Sequence, residues 1–192
     1  MTTRREFIQV TLTASVGGAL AIARPPRLPL YAALFDRRFS DSRLFSWAAQ
    51  QRGIEVRSIC GDVTDVWYSE LHPRWKEGAV PIAGVTTYGP LFCLERLAWD
   101  HGMRVVYRGS HQRRSDQTIE HRLEATPRKL SGRDAWPVEI AALMAGISPL
   151  AKPVPLNRND VSTITCLGQC APTASEPSET LYSWVIAPRA RA

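Results

Sequence analysis

Apolar and polar positions along this chain switch repeatedly between a period of two and a period near 3.6, and each switch marks an element. Leu28 to Phe35 (LPLYAALF) is a short apolar run that stops at Asp36, the pattern of a buried strand. Ser40-Asp41-Ser42 offers a helix cap, Leu44, Trp47, Ala48 and Gln51 follow at helical spacing, and Gly53 supplies the stop. Ile54 to Cys60 alternates apolar with polar and predicts a second strand, broken by Gly61-Asp62. Val63 to Leu71 reads as a short helix ended by His72-Pro73, with Arg74 to Gly78 as a polar connection.

Val80 to Thr86 predicts the third strand. Thr87-Tyr88-Gly89-Pro90 turns into a helix whose Leu91, Leu94, Leu97, Ala98 and His101 share one face and which Gly102 ends. Met103 to Arg108 and Thr118 to Ala125 are the fourth and fifth strands, an antiparallel hairpin across the charged turn Gln112 to Asp116. Ser131-Gly132-Arg133-Asp134 caps a last helix with Trp136, Ile140, Leu143, Met144 and Ile147 on its core-facing stripe. Beyond Ser148 the chain becomes rich in Pro, Ser and Thr, and Val161 to Cys166 and Thr180 to Ile186 add up to two further strands.

Strands alternating with helices across short turns predict an α/β fold. The expected form is a three-layer sandwich on a mostly parallel sheet, Rossmann-like or flavodoxin-like. An edge hairpin extends it, and an irregular C-terminal tail wraps the outside. The division that follows is 1–23 as a leader, 24–150 as the α/β domain and 151–192 as the tail.

In open α/β sheets ligands lie beyond the carboxyl ends of the strands, where strand order reverses. The first strand delivers Asp36, Arg37 and Arg38 to that edge, and the second delivers Cys60 and Asp62. The third delivers Thr86, Thr87, Tyr88 and Gly89, and the fourth Ser110 and His111. Thr86 to Gly89 with Arg37 form the expected ligand-binding set, because hydroxyls and amides at a helix start favour an anion. The same residues also make an ordinary helix cap. Cys60 with His111 as base, oriented by Asp36 or Asp62, is the catalytic arrangement the residues allow, since an imidazole would draw the thiol toward thiolate. Against it stands Cys60 as a buried apolar residue or as half of a disulfide with Cys93.

No G-x-G-x-x-G follows the first strand and no P-loop lysine occurs, so dinucleotide and triphosphate sites find no support and no cofactor is named. The four histidines, His72, His101, His111 and His121, lack metal-ligand spacing, so no metal is expected; His111 and His121 can face each other across the hairpin, and surface positions are the favoured reading. The tryptophans read as core area, with Trp67 able to line a pocket.

The first 23 residues change the setting. Thr3-Arg4-Arg5-Glu6-Phe7-Ile8-Gln9 sets paired arginines before an aromatic and an aliphatic residue, and an apolar run ends at Ala21-Ile22-Ala23. This resembles a twin-arginine (Tat) signal peptide of bacterial exported proteins, with Arg4, Arg5 and Phe7 as its recognition residues. The resemblance implies passage through the Tat export machinery, cleavage after Ala23 and a periplasmic location. The run carries Thr11, Thr13, Ser15, Gly17 and Gly18, too polar for a stable membrane anchor. An oxidising compartment permits disulfides, and Cys166-Leu167-Gly168-Gln169-Cys170 suits a local one.

A net charge of +6 spread along the chain favours acidic partners, while the absence of any basic run argues against nucleic acid. The expected function is therefore a Tat-exported periplasmic accessory protein, binding a small acidic ligand or travelling with a co-exported envelope protein. The alternative is a periplasmic hydrolase or thiol-dependent enzyme with its active site at the strand ends. A redox or metal-handling role for Cys166 and Cys170 is a third. The residues alone do not decide whether the protein is an enzyme.

Overall fold

The computed structural model describes residues 29–114, 118–124, 130, 135–146, 162–166 and 180–188, with the side chains of 162–166 left aside. The twin-arginine segment, the Cys166–Cys170 pairing and the Ser/Thr/Pro-rich stretch lie outside the described residues. Strands β1 (Ala32–Asp36), β2 (Val56–Ile59), β3 (Ile82–Thr86), β4 (Met103–Arg113), β5 (Ile119–Glu124), β6 (Ser162–Cys166) and β7 (Leu181–Pro188) form one sheet. Its order is β2-β1-β3-β7-β4-β5-β6. The helices are α1 (Ser40–Gln50), α2 (Thr64–Val66), α3 (His72–Glu77), α4 (Tyr88–Asp100) and α5 (Trp136–Gly146), and a π turn, Trp67–Leu71, joins α2 to α3.

The chain is α/β, as expected, but the sheet is mixed. β1 runs parallel to β2 and β3, while the other four pairings are antiparallel. The departure has one main source. β7 inserts between β3 and β4 and runs against both, with Gly84 opposite Trp184 and Ser110 opposite Tyr182. Residues 181–188 are therefore a central strand and not part of an outer wrapping. Trp184 and Ile186 are buried on one face of it and Val185 and Ala187 on the other, and apolar residues on both faces need cover on both sides. A Cβ at Gly84 would collide with the Trp184 indole, so the absence of a side chain there lets β7 approach β3.

Alternation along the strands splits the core between the two faces of the sheet. Ala33, Val85 and Val185 pack with Phe45 of α1 and with Trp136 and Ile140 of α5. Leu34, Ile82, Trp184 and Ile186 pack with Trp67, Leu71 and Trp75 and with Leu91 and Leu94 of α4. Each fully buried Val, Leu, Ile or Phe among them contributes about 1.5–3 kcal/mol.

Two local expectations are corrected by packing. The helix does not end at His72-Pro73, because Pro73 falls in the first turn of α3, where its missing N–H leaves no bond unmade and the wider π turn precedes it. Buried Trp75, whose indole N–H donates to the Val80 carbonyl (3.2 Å), draws Arg74 to Glu77 into the helix. β4 also continues past Arg108 to Arg113, since its charges find partners: Arg108 with Glu95 (2.8 Å) and Arg113 with Asp41 (3.1 Å). Trp67, Trp75, Trp136 and Trp184 are core residues, whereas Trp47 and Trp99 are exposed.

Candidate functional site

Because β7 runs against both neighbours, β3 and β4 point the same way. The carboxyl ends of β1, β2, β3 and β4 therefore share one edge, together with the start of β7. Strand order reverses at β1, from which the chain goes to β2 on one side and β3 on the other. By the general rule for such sheets, the crevice beyond β1 and β3 is the place for a ligand.

Asp36 ends β1 with its carboxylate fully buried. Arg38 donates to it as a fork, Nε to Oδ1 at 3.0 Å and Nη2 to Oδ2 at 2.7 Å, while the Arg38 amide donates to Oδ1 at 3.2 Å. A buried carboxylate needs such a counter-charge, and the two-point geometry fixes the plane of the guanidinium. One third of the Arg38 side chain stays exposed. Its guanidinium lies against Gly61, where a Cβ would stand 2.7 Å from Arg38 Cζ and where φ is +77°. Glycine at 61 thus serves the turn after β2 and the close approach of Arg38 together. Ser42 locks the start of α1 to the sheet: its Oγ accepts from the Asp36 amide (2.8 Å) and donates to the Val85 carbonyl (2.5 Å).

Across the crevice Thr87 precedes α4, and its side chain makes no capping bond to the helix. Thr86 is buried; its hydroxyl donates to the Thr87 carbonyl (3.0 Å) and accepts from the Trp184 indole N–H (3.0 Å). Thr86 is therefore structural, and Thr87 is buried as well, so Tyr88, Gly89 and Arg37 are the groups this set presents to solvent. Tyr182, from β7, stands 5.6 Å from Tyr88 ring to ring.

The other expected residues separate. Cys60 follows β2 at the far side of the sheet, and β1, β3 and β7 lie between it and His111 on β4. At a strand spacing of about 4.8 Å that puts the two about 19 Å apart, too far for a thiol and its base. Cys60 is exposed and unpaired with Cys93, which is also exposed, so neither the buried reading nor the disulfide between them holds. The reason is topological: Cys93 sits on the outer surface of α4. Asp62 caps the turn into α2 by accepting from the Thr64 amide (2.8 Å) and hydroxyl (2.7 Å). Those bonds hold its carboxyl below the ordinary aspartate range.

His111 is not a surface residue. It pairs in register with His121, both are buried, and their Nδ1 atoms are 2.6 Å apart. His111 Nε2 meets Ser183 Oγ at 2.8 Å, Ser183 meets the Tyr107 hydroxyl at 3.2 Å, and Trp136 stacks on His111 at 3.9 Å. His121 Nε2 is buried without a hydrogen-bond partner. An unpaired buried lone pair is more often tolerated than an unpaired N–H, which assigns the Nδ1 proton to His121 and the Nε2 proton to His111. His111 then donates to Ser183. Burial pushes both imidazoles down, His121 to about 4 against a smaller upward pull from Glu139, and His111 well below its usual range with the His121 charge adding to the effect. The group is a neutral, solvent-excluded clamp tying β4, β5, β7 and α5 together. The β4–β5 register brings 111 opposite 121; the spacing allows that facing but the long turn leaves the register open, and Ser183, from the distant β7, carries no signal at all.

No family model matches the chain, and no curated protein and no solved structure matches it.

Proposed function

We propose that this chain is an exported periplasmic accessory protein that binds a small acidic ligand at the strand-end crevice between β1 and β3. The observation that carries the proposal is the Asp36–Arg38 fork seated against Gly61, a cation held in a fixed plane and still one third exposed. Arg37 adjoins it, and the amino ends of α1 and α4 add positive potential from the same side. The β2-β1-β3 set serves as the parallel half of a doubly wound sheet, the arrangement whose reversal point receives ligands in other folds. The twin arginines Arg4 and Arg5, followed by Phe7, support Tat export and a periplasmic location, and the weakly apolar run to Ala23 supports release after cleavage.

The thiol-enzyme reading loses its premise with the distance between Cys60 and His111. Ser183 and His111 are in contact, but His111 donates its Nε2 proton to the hydroxyl instead of accepting one, and both residues are closed to solvent. The test is thermal unfolding in phosphate, sulfate, succinate and citrate against chloride at matched ionic strength. The wild type should gain stability with one or more of these, and Arg37→Gln, a change at an exposed position, should lose most of that gain. Arg38 itself is a poor target for removal, because an unpaired buried Asp36 would cost about 3–5 kcal/mol. Equal shifts in wild type and variant, or none in any anion, would rule the site out. Export is tested separately: Arg4→Lys with Arg5→Lys should leave the protein in the cytoplasm, and continued export would contradict the Tat assignment.

A further inference from the structure

The outer face of α4 carries Tyr88, Phe92, Arg96 and Trp99, spaced four, four and three residues apart and so aligned on one side of the helix. Tyr88 is 52 %, Phe92 40 % and Trp99 43 % exposed. They are three of the five large hydrophobic side chains exposed among the described residues, and all five are aromatic. The inner face, with Leu91, Leu94 and Ala98, is fully buried, so this outer ridge contributes nothing to the core.

The cations on the ridge are placed against the rings. The Arg96 guanidinium lies 4.1 Å from the Trp99 ring centre and 5.2 Å from that of Phe92, and Arg104, at the start of β4, lies 5.4 Å from Trp99. Neither arginine forms an ion pair among the described residues, whereas nearby Arg108 is neutralised by Glu95. Asp100 is exposed at the end of the helix, which leaves two cations against one carboxylate. Leaving three aromatic rings in water is unfavourable, and keeping unpaired guanidiniums stacked on them places positive charge beside apolar area.

We infer that this ridge is a docking surface for an anionic lipid bilayer. Tyrosine and tryptophan favour the water–hydrocarbon boundary because each has an apolar body and a polar edge, and arginine pairs with lipid phosphate at the same depth. The ridge holds these residue types and no exposed aliphatic one, as expected for a headgroup layer more than for a dry protein interface. The surface is the outside of a helix and not a groove, so it suits a broad, deformable partner. The residues after Ala23 hold 22 basic against 17 acidic side chains, and that positive excess adds long-range attraction to such a surface. Contact would be peripheral and reversible, since two arginines and three rings are far short of a spanning segment.

The test is co-sedimentation of the full chain with vesicles of 30 mol % phosphatidylglycerol in phosphatidylcholine, beside vesicles of phosphatidylcholine alone. Arg96→Gln and Trp99→Ala change exposed groups, while Arg104→Gln, made together with Arg96→Gln, changes a half-buried one that also donates from Nη1 to the Met103 carbonyl (2.7 Å). The full chain should pellet with the anionic vesicles, weaken as salt rises, and lose at least about tenfold in partitioning in the double arginine variant. Trp99→Ala should weaken binding as well, with circular dichroism unchanged. Equal binding to neutral vesicles, or undiminished binding by both variants, would overturn the inference and point to the N-terminal segment instead. Failure to bind vesicles together with saturable, ridge-dependent binding of a polyglutamate peptide would overturn it in favour of an acidic protein partner.

Discussion

Acidification should weaken this protein through His121 before general acid unfolding begins. The residue is fully buried, donates from Nδ1 to His111, and would have to take a second proton on Nε2, which has no partner. Desolvation holds its folded-state pKa at about 4, below the 6.5 of an unfolded histidine. A depressed histidine pKa means that the unfolded chain binds more protons between those values. The stabilising contribution is therefore complete above pH 6.5 and is lost as the pH falls toward 4. From these values His121 alone withdraws about 2 kcal/mol by pH 5 and about 3 kcal/mol by pH 4. His111 acts in the same direction, and the upward pull of Glu139 is already contained in the His121 value. The assay is urea unfolding from pH 8 to pH 4.5 for wild type and His121→Gln. The variant should be the less stable protein at pH 8, and the gap should close by about 2 kcal/mol at pH 5 because glutamine does not titrate. Parallel stability curves would contradict a neutral buried His121, as would a His121 imidazole resonance titrating near 6.5 in the folded protein.

Three further outcomes follow from the packing. Ser42→Ala leaves the Asp36 amide and the Val85 carbonyl without their buried partner and should cost about 2–4 kcal/mol in chemical unfolding; a loss under 0.5 kcal/mol would contradict the role given to it. Gly61→Ala forces a side chain into positive φ and against Arg38, so destabilisation of about 1–3 kcal/mol should appear together with weaker anion binding. Cys60 and Cys93 should both be alkylated in the folded protein without reductant, as mapped by peptide mass; resistance at both would restore a disulfide between them.

The local elements were legible because their signals are local. The strand of Leu28 to Phe35, the helix ended by Gly53 and the break at Gly61 all stand near where the residues place them, and Gly53 and Gly61 adopt the positive φ that makes them effective stops. Strand order was not legible, since it depends on which segment best fills a slot between distant strands. Nothing near Leu181 announces that Trp184 will lie over Gly84. The mostly parallel sheet and the outer tail were lost with that one placement. At the candidate site the same division holds. Asp36, Arg37, Thr87 and Tyr88 could be assigned to one edge from strand ends alone. That Asp36 would turn inward onto Arg38, that Thr86 would be taken up by Trp184, and that His111 would be buried beneath Trp136 depend on side-chain packing across elements. Exposed Trp47 and Trp99 show the converse, because a large ring carries no mark in the sequence that separates core from surface.

Backbone amide resonances followed through a phosphate titration address anion binding at the strand-end crevice residue by residue. The prediction is a saturable shift concentrated at Arg37, Arg38, Gly61, Tyr88 and Gly89. Shifts scattered over the basic surface without saturation, or confined to Arg96, Trp99 and Arg104, would contradict it.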